Sequence, residues 1–94
     1  MRITGLIWLD SVMEKIETKH HVSIGEVEEV FTKKSKVRKI RKGRFRGEFV
    51  YRALGQTKRG RYLTVFFIHK RTGEALILSA RDMDKKERKS YAKK

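Results

Sequence analysis

Three apolar runs in close succession fill the second half of this 94-residue chain: EFVYRALGQ from Glu48, YLTVFFIHK from Tyr62 and ALILSAR from Ala75. Each has the length of a strand, the first two are rich in β-branched and aromatic residues, and the turns between them, around TKRG and RTGE, are short, polar and glycine-containing. Such runs fold as consecutive antiparallel strands, and the rest of the chain must pack on this sheet or extend it. In the first strand, period 2 puts Phe49, Tyr51 and Ala53 on one face and Val50, Arg52 and Leu54 on the other. Leu63 to Ile68 is apolar on both faces, which marks the central strand. Phe66 and Phe67 alternate faces, so one of them lines a ligand surface while the other is buried. Strict alternation in the last strand sends Leu76, Leu78 and Ala80 one way and Ala75, Ile77, Ser79 and Arg81 the other.

The first third reads as helical. Ile3 to Leu9 is an edge strand or an extended lead-in that buries Trp8. From Asp10, an expected N-cap, Val12, Met13 and Ile16 recur at helical spacing, and this helix ends near Lys19 or His20. Ser23 followed three residues later by Glu26 is a capping box, with Val22 placed as a hydrophobic staple, and Ile24, Val27, Val30 and Phe31 form the apolar stripe of a second helix. His20 and His21 therefore lie in the corner between helices. After the last strand, Asp82 is placed to cap a final helix in which Met83, Glu87 and Tyr91 stand one turn apart along one side, next to Asp84 and Arg88. The expected fold is a single α+β domain spanning 1–94: N-terminal helices packed on an antiparallel sheet of three to four strands, with a C-terminal helix.

Charge divides this domain. The net charge of +14 is made entirely after residue 32, since residues 1–32 carry three Lys/Arg against six Asp/Glu and residues 33–94 carry twenty-two against five. A field of that sign concentrates polyanions, so nucleic acid is the leading partner, ahead of an acidic protein or an anionic membrane surface. Residues 33–46, KKSKVRKIRKGRFR, hold nine Lys/Arg in fourteen positions and are either an edge strand whose charges discourage sheet-to-sheet pairing or a mobile basic arm. The chain has no cysteine and three scattered histidines, so neither a disulfide nor a metal or cofactor site is expected. No apolar run approaches 18 residues and the N-terminus lacks the pattern of a signal peptide, so a cytoplasmic protein without membrane attachment is expected. The strand order and aromatic pattern of an RNA-recognition motif, zinc-finger spacing and a P-loop are all missing.

The sheet gathers Arg52, Arg81, Arg88 and Tyr91, with Glu87 and His20 as possible proton movers. Cleavage of a phosphodiester by the ribose 2′-OH needs an acceptor for the 2′ proton, cations against the pentavalent phosphorane and a donor toward the departing 5′ oxygen. Arginine matches phosphate with a two-pronged fork that never loses its charge, tyrosine stacks on a base of single-stranded RNA, and no metal is required. The plainer alternatives are that Arg52 and Arg81 pair at the surface with Glu48 and Asp82, and that His20 or His21 closes a helix. Lys58, Arg59 and Arg61 in the hairpin loop, together with Arg44 and Arg46, form a basic set suited to backbone phosphates.

Four stretches together give a family likeness: ITGLIWLD, KHHVSIGEVEEVF, GEFVYRALGQT with GRYLTVFF, and LILSARDMDKKERKSYAK. They cover nearly the whole chain, and in them it resembles the BrnT toxins, ribonucleases of type II toxin-antitoxin operons whose fold is similar to that of RelE/ParE-type toxins. The resemblance implies a metal-independent endoribonuclease that inhibits translation and growth, partnered by a BrnA-like ribbon-helix-helix antitoxin and meeting operator DNA only through that complex. It implies Arg52, Arg81, Glu87, Arg88 and Tyr91 as site positions, with Lys19 or His20 in the corner, and gives Ser79 an architectural place. The chain departs from the family pattern where Val12 and Ile16 replace a lysine and an asparagine, and where His21 replaces a glycine. The alternative readings are a non-catalytic basic module for RNA or DNA and a pure antitoxin-binding subunit.

Overall fold

The apolar stripes of the first third become two helices, α1 (Asp10–His20) and α2 (Ile24–Thr32), joined by a sharp corner. The structure is a computed structural model and describes residues 1–93. Position 9 is the N-cap of α1, and Leu9 offers no side-chain acceptor. Asp10, expected as the cap, is instead the first helical residue, where its charge still faces the positive end of the helix. α2 begins with the expected capping box: the Ser23 hydroxyl accepts from the Glu26 N–H and the Glu26 carboxylate accepts from the Ser23 N–H. Between them His21 adopts a left-handed conformation (φ 54°), and the Val22 N–H returns to the Ile16 carbonyl at 3.0 Å, a Schellman closure in a position that favours glycine.

Five strands follow the order β1-β5-β4-β3-β2, with β1 Leu6–Ile7, β2 Lys36–Lys42, β3 Phe49–Gln56, β4 Tyr62–His69 and β5 Ala75–Asp82. The expected sheet of three to four antiparallel strands is thus corrected to a mixed sheet of five. The added strand, β1, runs parallel to β5 with Leu6 opposite Ala75. Two residues are too few to print a period-2 pattern, which is why the sequence left this segment open. The basic run 33–46 contributes the other edge: β2 pairs antiparallel with β3, so its core is a strand rather than a mobile arm. The last helix, α3 (Lys85–Ala92), is capped by Asp84 and not by Asp82, because the strand hydrogen bonding of β5 runs on through Asp82.

Two irregularities decide which side chains meet. The register of β4 on β5 slips between Phe66 and Phe67, which pair with Ser79 and Ile77 and leave Leu78 as the extra residue. Strict alternation therefore fails there: Ala80 joins Ala75 and Ile77 in the core, while Ser79 and Arg81 turn to the opposite face. In β2 a similar slip at Ile40 leaves Arg38 opposite Arg52 and Arg41 opposite Val50.

One sheet face carries α1 and α2. Ile16, Val22, Val27 and Val30 pack with Ala53, Leu63, Val65, Phe67, Ile77 and Ala80, all fully buried. Burial of each larger apolar side chain contributes roughly 1.5–3 kcal/mol. Phe67 is the hub, with Phe31 edge-on at 5.2 Å and Tyr51 stacked at 5.7 Å. Gly55 is where α2 comes closest, since a Cβ there would stand 2.9 Å from Val30 Cγ1. The other face carries Arg52, Leu54, Thr64, Phe66 and Arg81, and α3 lies on it only at the end of the sheet where β3 stops and β4 starts.

Candidate active site

The open face is arranged in cross-strand rows. Arg38, Arg52, Phe66 and Ser79 stand opposite one another across β2, β3, β4 and β5; one row along are Lys36, Leu54, Thr64 and Arg81. Arg52 and Arg81 thereby lie diagonally across the same surface, with Phe66 between their strands. The Arg81 guanidinium sits 5.4 Å from the Phe66 ring centre, so Phe66 is the aromatic that lines the face and Phe67 the one that is buried.

Arg81 is held by Glu87. Nη1 and Nη2 donate to Oε1 and Oε2 at 2.7 and 2.9 Å, a two-pronged ion pair, and Nη1 also donates to the Asp82 carbonyl at 3.0 Å. Glu87 itself is 5% exposed and accepts further bonds from the Thr64 hydroxyl at 2.9 Å and the Asp84 N–H at 2.8 Å. Burial alone would raise its carboxyl, but Arg81, the Asp84 amide and Thr64 together hold it below the usual glutamate range. A carboxylate so fully engaged is poorly placed to take a proton; its geometry suits it to fixing where Arg81 points. The Asp84/Glu87 spacing was itself a capping box legible in the sequence, obscured by the more prominent Asp82. Thr64 was missed altogether, although a lone hydroxyl inside an apolar central strand must find a partner.

Arg52 differs. It enters none of the ion pairs among the described residues, and its buried Nε has no hydrogen-bond partner. The surface pairs of the plainer alternative therefore do not form, since Glu48 binds Lys70 and Asp82 binds Arg61.

The remaining candidates fall into three groups. Arg88 and Tyr91, on α3, meet at Tyr62: the Arg88 guanidinium stacks 4.1 Å above that ring and Tyr91 approaches it edge-on at 6.0 Å. Lys36 reaches the same end, donating to the Ser90 and Lys93 carbonyls. His20 and exposed Lys19 close α1 at the corner, where Arg61 dominates. Its guanidinium donates to both Asp82 oxygens (2.8 and 3.1 Å), to Glu26, and to the carbonyls of His20 (2.9 Å) and His21 (2.6 Å). Arg61 is thus a clamp that joins the helix corner to the end of β5, with its donors consumed. Lys58 and Arg59 are exposed in the adjacent β3–β4 turn, whereas Arg44 and Arg46 are exposed at the opposite end of β3.

Among the described residues, no group of three or more His, Cys, Asp or Glu side chains is disposed to hold a metal ion, and no helix is long and apolar enough to cross a membrane. The family model described as the ribonuclease toxin BrnT of type II toxin-antitoxin systems matches residues 10–87. The chain belongs to the BrnT family. No curated protein matches it. BrnT membership brings with it an antitoxin as partner, since type II systems pair the toxin with one. Val12 and Ile16 lie in or against the core on the helix-bearing face, opposite the face of Arg52 and Arg81.

Proposed function

We propose that this BrnT-family chain is a metal-independent endoribonuclease that cuts RNA on the open sheet face by attack of the ribose 2′-OH. The observation that carries the proposal is the pairing of unlike arginines: Arg81 locked in orientation by buried Glu87, and Arg52 on the same face with no acidic partner. Two cations on one surface, one of them held in orientation, suit an oxyanion whose charge grows in the transition state. The 2′ oxygen bonds to phosphorus, the bond from phosphorus to the 5′ oxygen breaks, and a 2′,3′-cyclic phosphate and a 5′-hydroxyl result. Glu87 is spent on Arg81, so the 2′ proton passes to His20, at the corner where Asp82 binds Arg61. Arg88 hydrogen-bonds the departing 5′ oxygen, which takes its proton from water, and Tyr91 stacks on a neighbouring base. Lys19, Lys58 and Arg59 contact phosphates at this end of the sheet, and Arg44 and Arg46 do so at the other.

Cutting RNA would arrest translation and growth until a BrnA-like ribbon-helix-helix antitoxin covers the site, and operator DNA would be met only through that complex. An RNA substrate places this action in the cytoplasm. The test is cleavage of a mixed-sequence RNA by the purified chain in EDTA, with end-group analysis. Cyclic or 3′-phosphate and 5′-hydroxyl ends are expected; ends of the opposite polarity, or activity that vanishes in EDTA, would refute the mechanism.

A further inference from the structure

The edge strand β2 is exposed along its whole length, yet its charges are sorted by face. The slip at Ile40 breaks the alternation, so Arg38 pairs across from Arg52 and Arg41 across from Val50, on the open face, while Lys39 and Lys42 pair with Tyr51 and Phe49 on the helix-bearing side. Lys39 confirms its side by standing 3.9 Å from the centre of the Phe49 ring. Without the slip, Lys42 would share the face of Arg38 and Arg41 would not.

Two like charges directly opposite one another in a sheet repel and destabilise the pairing. Arg38 and Arg52 are such a pair, and Arg41 adds a third cation on the same side. None of the three enters an ion pair among the described residues. An anion laid across this face would relieve that repulsion.

We infer that Arg38 and Arg41 form a phosphate track that carries single-stranded RNA from the reacting phosphate at Arg81 across Arg52 to the edge of the sheet. This rests on the ribonuclease reading above. Three interstrand steps of about 4.8 Å separate β5 from β2, so the track spans roughly 14 Å, room for a strand longer than the two nucleotides that flank the cut. Arg38 and Arg41 touch the substrate away from the reacting bond, and their work is binding rather than chemistry.

The experiment compares two double variants of equal charge change, Arg38→Ala with Arg41→Ala and Lys39→Ala with Lys42→Ala, after circular dichroism and melting confirm that both fold. Binding is read by fluorescence anisotropy of a single-stranded oligonucleotide with 2′-deoxy sugars, which cannot be cut, across a salt series. Cleavage is read with a long RNA and with a dinucleotide. The arginine variant should bind about tenfold more weakly and lose about 1.4 from the slope of log K against log salt, that is, two phosphate contacts at about 0.7 each. It should raise KM for long RNA while leaving dinucleotide cleavage unchanged, and the lysine variant should resemble the parent in every arm. Equal losses in both variants would overturn the track in favour of a diffuse basic field. RNA binding unchanged in the arginine variant would overturn it outright. If the parent cuts no RNA, the catalytic reading falls, and the anisotropy difference still decides the track.

Discussion

Replacing Glu87 by Gln isolates what the buried carboxylate does for Arg81. The amide keeps the shape and one acceptor for Thr64 and the Asp84 N–H, but its nitrogen faces an Arg81 donor, so one prong of the fork becomes a donor against a donor. Hydrogen bonds to charged groups contribute about 1.5–3 kcal/mol each. Glu87 is 6% exposed at the side chain and Arg81 33%, so the freed guanidinium recovers part of its hydration, and the net loss at pH 7 is about 2 kcal/mol. For a domain of this size that lowers Tm by roughly 8–16 °C. The folded-state pKa of Glu87 is depressed, so its stabilisation is complete above the unfolded value near about 4.3 and disappears as the pH falls through the lower folded value. Thermal melts from pH 7 down to acid should therefore show a gap between the two proteins that closes at low pH, where the parent's carboxyl is protonated too. A variant as stable as the parent at pH 7, or a gap that persists unchanged into acid, would refute the role given to the ion pair.

Other outcomes follow from neighbouring geometry. His21→Gly removes a left-handed non-glycine residue and should stabilise the fold by about 0.5–1 kcal/mol in urea titration, the reverse of a usual glycine substitution. Gly55→Ala drives a methyl toward Val30 Cγ1 and should cost about 1–3 kcal/mol in the same assay, without changing RNA cleavage per folded molecule. Arg61→Ala frees the α1–α2 corner from β5 and should cost about 2 kcal/mol; because Asp82 lies below its usual range chiefly through Arg61, and Glu26 through the Ser23 N–H and then Arg61, that cost too should shrink in acid. His20→Gln should lower kcat/KM for RNA cleavage about 100-fold with the melting temperature unchanged, which an architectural histidine would not.

Much of this molecule was legible in its residues because the periods were clean. The Ser23/Glu26 box and the stripe Ile24, Val27, Val30, Phe31 could only be a helix with one buried face, and β3 and β4 alternate without interruption. The placement of Arg52 and Tyr51 on opposite faces followed directly, as did that of Phe66 and Phe67, whereas the register of β3 on β4 decided that Phe66 shares the face of Arg52. What escaped were one-residue events. A slip at Leu78 reverses the facing of everything after it in β5, and another at Ile40 exchanges Arg41 for Lys42, yet neither leaves a mark in composition, since any residue can occupy a bulge. The N-cap of α3 lay two residues beyond its expected place because β5 continued through Asp82 to pair with Leu63. Arg61 illustrates a different limit: in the sequence it is one more cation in a basic loop, and only the convergence of Glu26, Asp82 and two helix-end carbonyls makes it a clamp.

In the proposed mechanism a guanidinium fork at position 81, aimed by Glu87, stabilises the phosphorane. Single-turnover cleavage of RNA by Arg81→Lys beside the parent tests it most directly, since lysine keeps the charge and loses the fork. A rate about 100-fold lower with RNA affinity nearly unchanged is expected. A lysine variant that cuts as fast as the parent would contradict it.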